Sequence, residues 1–537
     1  MQQLSGQDAT MLYVESPDSP NHVTGFSLYD PSTAPKPVTF TTILDTIGAR
    51  LSLARTFRQR LVRVLLDLDH PYWVESADFD LEFHVRRVRL PEPGDWRQLC
   101  TEVARLHARP LDLTRPPWEL HVIEGLDEVE AAPPGCFALV LKVHHSAIDG
   151  AAGVEIINAI HDLAPDAAAP QPPFAWQADV VPSQLAMLGG AALHLLARPP
   201  RLVRQIAKAA PIAGRLPFQI GRGAFSLPPL TLPFTRFNGK VTPHRVMDAR
   251  KFPLDSLRSI KRSTQGATVN DVALAIIAGC LRRYLLAKGE LPETSLGAAC
   301  PISLRSRDQA RAVAGNDIGT MTVPLHTAIE DPMARLAAIA GSTANSKERK
   351  QAIGARTLVE FSELLPGALL GFGFRAQSRI AQRAKSALLL NTSVTNVPAS
   401  PVPLYFSGAK MIASYGLGPV FDGMGILHLV CSYAGEVTVT VTADREMLPD
   451  PGFYAECIQA SYEELCRAAR PRRANKLAAG RTAGRSQPRR PVRRTPVATA
   501  GAGTGTGDPY GLLVSAATSA PASQNGAQVG KALGSGG

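Results

Sequence analysis

The chain has 537 residues, 45% of them hydrophobic and 19% charged, a globular composition too long for one ordinary core, so two domains or two large subdomains are expected. Its formal net charge of +11 sits in the tail: from Arg467 onward ten arginines and two lysines face one acid, Asp508, while residues 1–466 are formally neutral. A basic tail on a neutral body argues against a nucleic-acid-binding fold.

Seven cysteines, an odd number without a CxxC pair, exclude a disulfide framework and fit a reducing compartment. The N-terminus, MQQLSGQDATMLYVESPDSP, is polar and acidic and lacks the apolar run of a secretory signal. The longest low-charge apolar stretch in the middle of the chain, residues 185–197, is too short to span a bilayer. A soluble or peripheral protein of the cytoplasm is expected.

Residues 1–180 alternate short strand-like and helical segments, as an α/β domain does. The segment 31–61 reads as a loop followed by a capped helix, with Thr41 or Thr42 as candidate N-caps. RPLDLTRPPWELHVIEGL (109–126) is a proline-punctuated loop leading into a strand, in which Trp118 reads as a packing anchor. CFALVLKV (136–143) follows a Pro-Pro-Gly turn and is short, apolar and rich in Val and Leu, which predicts a buried strand. At its end stand His144 and His145, then Asp149 and Gly150, then a segment with Val154, Ile157 and Ile160 on one helical face.

The pattern His-His-x-x-x-Asp-Gly should arise by chance in such a chain on the order of once in a thousand. Strand alternation predicts that the two histidines point to opposite faces, so that at most one enters a given cleft. An imidazole there can take and return a proton near neutral pH, with the aspartate orienting a ring or the turn. Two plainer readings compete: hydrogen-bonded strand-end histidines beside an ordinary Asp-Gly turn, and a metal site. The latter needs three or more converging ligands, whereas neighbouring strand histidines diverge.

Between Asp179 and Asp248 there is no acid, while Arg198, Arg201, Arg204, Lys208, Arg215 and Arg222 fall within it. This reads as a basic amphipathic crossover, either lying on an anionic membrane surface or packed on its own protein. A second α/β half follows. Residues 268–289 predict a strong helix, with Thr268 or Asn270 near its start and Gly289 past its end. ISLRSR (302–307) lies where a strand ends, and residues 370–390 place Arg375, Arg379 and Arg383 along one helical stripe. NTSVTNVPAS (391–400) is a strand breaking at a proline-rich turn, and 425–444 is a hairpin about Ala434-Gly435. Residues 467–537 have the composition of a disordered tail, whose GAGTGTG (501–507) has neither the strand nor the helix of a phosphate-binding loop.

Together these motifs resemble the bacterial wax ester synthase/diacylglycerol acyltransferases of the actinobacterial triacylglycerol synthase type. The resemblance covers nearly all of residues 10–466: MLYVESPDSPNHVTGF, RPLDLTRPPWELHVIEGL, VHHSAIDG, NGKVTPHRV (238–246), TVNDVALA, GNDIGTMTVPL (315–325), NTSVTNVPAS and SYAGEVTVTVTADREMLPD. VHHSAIDG alone would suggest only the wider chloramphenicol-acetyltransferase-like superfamily, which includes peptide-synthetase condensation domains. One departure is NVPAS at 396–400, where the family commonly carries NVPGP.

The resemblance implies an α/β fold of two chloramphenicol-acetyltransferase-like subdomains, with mixed sheets flanked by helices and an active-site tunnel between them. In this sequence they would be residues 1–180 and 241–466, joined by the crossover at 181–240 and followed by the tail at 467–537. The implied substrates are a long-chain acyl-CoA and either diacylglycerol or a long-chain alcohol, with no cofactor, no metal and no nucleic acid, at the surface of a membrane or lipid body. It casts His145 as general base and His144 as the residue packing behind it. Asp149 would pair with Arg305, and Gly150 would keep the tunnel wall clear of a side chain. Asn270, Thr392 and Ser393 are candidate oxyanion or substrate-positioning groups, and Asp271 is a candidate for holding the geometry between the halves. Two alternatives remain: another condensation-type acyltransferase of the superfamily, and a non-catalytic acyl-binding protein of lipid bodies.

Overall fold

Two mixed six-stranded sheets carry the architecture. The structure, a computed structural model, describes residues 2–76, 78–130, 132–148, 156–168, 178–194, 196, 232–303, 318–352 and 390–470. In chain order the strands are β1 (Gln2–Gln3), β2 (His22–Asp30), β3 (Gln59–Val62), β4 (Tyr72–Glu75), β5 (Val85–Arg89), β6 (Trp118–Glu124) and β7 (Phe137–His144). There follow β8 (Arg245–Pro253), β9 (Gly297–Ser303), β10 (Ile318–Pro324), β11 (Thr392–Pro398), β12 (Tyr405–Phe406), β13 (Ala409–Leu417), β14 (Ile426–Tyr433) and β15 (Glu436–Asp444).

The first sheet runs β12-β13-β2-β7-β6-β5 and the second β10-β9-β11-β14-β15-β8, while β1, β4 and β3 form a small third sheet. Only β5–β6 is parallel in the first sheet, and only β11–β14 and β11–β9 in the second. β12 and β13, although late in sequence, belong to the first sheet: β13 pairs with β2 from Lys410↔Asp30 to Leu417↔Thr24. The same strand touches the second sheet, since Thr438 Oγ1 donates to the Ser414 carbonyl at 2.9 Å. A side chain at Gly416 or Gly418 would collide with Leu429 or Leu427 of β14, so the glycines there let the two sheets approach. The described residues through Arg470 therefore form one compact unit.

Local chemistry sets the elements. The helix Phe40–Arg50 starts two or three residues earlier than Thr41 or Thr42 would place it: Thr39 is the N-cap, and Thr42 closes a capping box with it. The helix Val269–Ala287 is capped by Thr268 with Asp271 as its capping-box partner, and Gly289 follows its end at φ +68°. Nearly every residue from Asp271 to Leu281 is buried, which makes this the central helix of the second core. The hairpin β14–β15 turns at Ala434-Gly435, both with positive φ, the twist that a two-residue connection requires. Trp118 is buried, donates to the Phe57 carbonyl at 3.0 Å and stacks on His84, so it is the packing anchor expected. At the NVPAS departure, Ser400 Oγ accepts from the Val402 amide and donates to its carbonyl, closing the turn locally. Arg375, Arg379 and Arg383 of the expected stripe, the stretch 197–231 of the basic crossover and residues 471–537 lie outside the described residues, whereas Arg467–Ala469, expected in the tail, complete the helix Pro451–Ala469.

Candidate active site

The histidine pair sits where β7 stops. Its last residue, His144, pairs with His22 of β2, and His145–Ala147 form a single 3₁₀ turn. Strand alternation therefore governs His144 but not His145, whose direction is set by the turn.

Hydrogen bonds lock this turn. The Ser146 amide donates to His144 Nδ1 at 3.2 Å, and Ser146 Oγ lies 2.7 Å from the same nitrogen. With Nδ1 accepting, the ring proton sits on Nε2, which faces Glu15 Oε2 at 3.4 Å. The Glu15 carboxylate also accepts from the Asn21 amide at 3.2 Å. Asn21 in turn receives the His145 amide on its carbonyl at 3.0 Å, and the His144 amide donates to the Pro117 carbonyl at 2.9 Å. His144 is fully buried, so it packs behind and fixes the turn.

His145 is different. Its Nδ1 is buried, and no group other than its own backbone carbonyl is within hydrogen-bonding reach of it among the described residues. Burial, aided by the neighbouring His144 and opposed by its own backbone carbonyl, holds its pKa below the ordinary 6.5. At neutral pH it is thus an uncharged imidazole with a lone pair to offer.

The loop Glu15–Asn21 ties this turn to the second half of the molecule. Ser19 Oγ donates to the Val420 carbonyl at 2.6 Å, and Arg245 donates to the Asp18 carbonyl at 2.6 Å. Sequence reasoning quoted this loop but missed Glu15 and Asn21, whose roles depend on long-range contacts that no local pattern reports.

The polar candidates of the second half occupy distinct places. Thr392 is fully buried, with its hydroxyl between the Ile426 carbonyl and His428 Nδ1 at 3.1 and 3.0 Å. Ser393 Oγ reaches the Ala299 carbonyl at 3.4 Å. Asn270 accepts from Asn396 at 3.2 Å, which joins the helix Val269–Ala287 to β11. Both oxygens of Asp271 are engaged, one with the Thr268 amide and hydroxyl and the other with the Thr343 hydroxyl, so it caps and braces helices. A further missed pair is Asn238 and Asn391, whose side-chain amides bond at 3.0 Å and join NGKVTPHRV to NTSVTNVPAS. Asp149, Gly150 and Arg305 lie outside the described residues. Among the described residues no group of three or more His, Cys, Asp or Glu side chains is placed to hold a metal ion, and no helix is long and apolar enough to cross a membrane.

A histidine turn of this kind, on a pair of mixed sheets exchanging a strand, defines an acyltransferase of the chloramphenicol-acetyltransferase-like fold. The chain belongs to the wax ester synthase/diacylglycerol acyltransferase family: the family's catalytic domain matches residues 4–273 and its C-terminal domain residues 314–466. It is 32% identical over 479 residues to a Mycobacterium tuberculosis protein named as a diacylglycerol O-acyltransferase, covering 88% of this chain and 92% of that one. A Mycobacterium bovis protein named likewise is 32% identical over 476 residues, covering 88% of this chain and all of that one. Among solved structures, the wax ester synthase/diacylglycerol acyltransferase of Marinobacter aquaeolei is similar with a TM-score of 0.62 and 26% identity, covering 87% of this chain and 100% of that one. The first condensation domain of the calcium-dependent antibiotic synthetase shares the fold, with a TM-score of 0.52 at 13% identity, covering 87% of this chain and 96% of that one.

Because Glu15 and the strand pairing hold His144, Glu15→Ala should loosen the turn. We expect kcat to fall at least tenfold with little change in KM, read by thiol release from palmitoyl-CoA; an unchanged kcat would refute the role.

Proposed function

We propose that this acyltransferase moves a long-chain acyl group from acyl-CoA to the hydroxyl of diacylglycerol, or of a long-chain alcohol, with His145 as general base. The observation that carries this reading is the half-buried imidazole at the locked turn, its Nδ1 out of solvent and its pKa held below the ordinary value. An alcohol is a poor nucleophile until its proton is removed. His145 Nε2 takes that proton as the hydroxyl oxygen attacks the thioester carbonyl carbon. The tetrahedral oxyanion then collapses, the C–S bond breaks, and the imidazolium returns the proton to the departing CoA thiolate. No covalent enzyme intermediate is needed. Asn270 keeps its amide nitrogen as a donor after accepting from Asn396, which favours it over the committed Thr392 hydroxyl for stabilising developing charge.

Such substrates partition into lipid, and one surface of the described structure suits a lipid interface. The helix at 184–194 buries Met187 and Ala191 against the small sheet, yet leaves Leu185 and Leu193 exposed at 81% and 69%, with Leu196 exposed at 77% just beyond. No charged residue lies between Val180 and Ala197, and the arginines of the crossover begin at Arg198. Apolar side chains backed by cations fit peripheral binding to an anionic membrane or lipid-body surface.

Three measurements test these proposals. His145→Ala should lower turnover of palmitoyl-CoA with dioleoylglycerol or hexadecanol by at least about 10²-fold while the unfolding midpoint is retained; near-normal turnover refutes the mechanism. Since only neutral His145 can act and its pKa is depressed, the acid limb of the kcat profile should have its midpoint below pH 6.5. A midpoint at or above 6.5 contradicts the assignment. Changing Leu185, Leu193 and Leu196 together to Ser should weaken co-sedimentation with phosphatidylglycerol vesicles severalfold, and unaltered binding would remove this surface from consideration.

A further inference from the structure

A second feature lies beside the loop that holds the histidine turn. Between the helix Trp96–Ala108 and the second sheet there is a cavity of about 170 Å³, whose lining includes Arg97, Thr101, Arg245, Asp248, Arg445 and Pro451. Three guanidiniums meet one carboxylate there. That carboxylate is already committed: Asp248 Oδ1 accepts from Trp96 Nε1 at 2.9 Å and from the Ala249 amide at 2.7 Å, and lies 3.2 Å from Arg250. Arg245 is buried and lies 3.7 Å from the buried Asp444. Arg97 and Arg445 are exposed and form no ion pair among the described residues.

The surroundings offset only part of this charge: Arg245 is held by Asp444 and donates to the Thr242, His244 and Asp18 carbonyls, while Arg97 and Arg445 stay without an ion pair among the described residues. A Cβ at Gly452 would stand 3.6 Å from the Arg97 guanidinium, so that group lies at the start of the helix Pro451–Ala469, the positive end of its dipole. The Asp450 carboxylate that begins this helix is turned to Tyr284 and Lys288, each at 2.6 Å. Cations set against a helix start, with the local acids spent elsewhere, leave a cleft whose missing component is a multivalent anion.

The distance to the histidine turn suggests which anion. Arg245 touches Asp18, and Asn21, three residues on, accepts the His145 amide. Three residues span at most roughly 11 Å of extended chain, while an extended pantetheine arm, about as long as four to five peptide units, covers on the order of 15 Å. We infer that the cleft between Arg97, Arg245 and Arg445 binds phosphoryl groups, those of the nucleotide end of acyl-CoA, and so acts as an anchor for the thioester donor. This rests on the acyl-CoA reading above. The same chemistry could serve a phospholipid headgroup, but the exposed leucines lie on a helix whose Met187 and Ala191 pack into a different cluster, with Val62 and Val74, which favours the soluble nucleotide.

The test compares the full-length protein with the double variant R97A/R445A. Titration calorimetry with adenosine 3′,5′-bisphosphate requires no turnover, so it stands whether or not the donor reading holds. Wild type should bind it, and the double variant at least tenfold more weakly. In turnover, the ratio of kcat/KM for palmitoyl-CoA to that for palmitoyl-pantetheine, which lacks the nucleotide, should fall at least tenfold. Equal affinity of both proteins for the bisphosphate overturns the inference, as does an unchanged ratio. Loss of binding to phosphatidylglycerol vesicles with nucleotide affinity intact assigns the cleft to lipid headgroups and also overturns it. Absence of wild-type turnover with either thioester, with bisphosphate binding retained, would defeat the acyl-CoA reading and leave the phosphate site standing.

Discussion

The pairing of β13 with β2 is the constraint on which the rest depends. β2 lies between β7, which ends in the histidine turn, and β13, which arrives from far along the chain. Through β13 the first sheet is stitched to β14 and β15, and through the loop before β2 the turn is stitched to Val420 and Arg245. The His145 turn is therefore positioned by backbone from both halves. Rigid backbone support of this kind turns a loosely tethered base into an oriented one, and orientation is a large part of what a transfer enzyme supplies.

Burial supplies the second ingredient. The described core holds several imidazoles whose pKa values are pushed down by desolvation: His107 and His428 to about 3 and His161 to about 4, with His22 also well below its usual value. Most of these have a partner. His428 bridges Thr392 and Tyr454, and His107 spans Thr24 and Gly418. Such rings are structural because their nitrogens are spent. His145 shares the desolvation, but no other residue's group bonds its Nδ1 among the described residues, which suits it to the role proposed.

Much of this was legible in the sequence where information is local. Period, caps and turn residues located β7, the helix Val269–Ala287 and the β14–β15 hairpin, since each is written in neighbouring side chains. The motif order pointed to the family, which the comparisons bear out. What escaped was everything that depends on distance along the chain. No pattern near 409–417 says that this strand completes a sheet begun at residue 22, nor does Glu15 announce a histidine 129 positions away. The N-cap of the helix Phe40–Arg50 slipped because three consecutive positions from 40 to 42 include two threonines, and only the geometry selects Thr39. Asp271, expected to hold the geometry between the halves, is by its hydrogen bonds a capping-box residue braced against Thr343, a long-range contact that no local pattern reports.

The late arrival of β13 also bears on how the protein is made. A ribosome moving at roughly 5–20 residues per second finishes β2 and β7 well before it reaches residue 417. Throughout that interval one side of β2 is an open row of backbone donors and acceptors, the sort of edge that recruits stray strands. Until its own distant partner emerges that edge stays open, so assembly of the first sheet is a race between self-completion and intermolecular pairing.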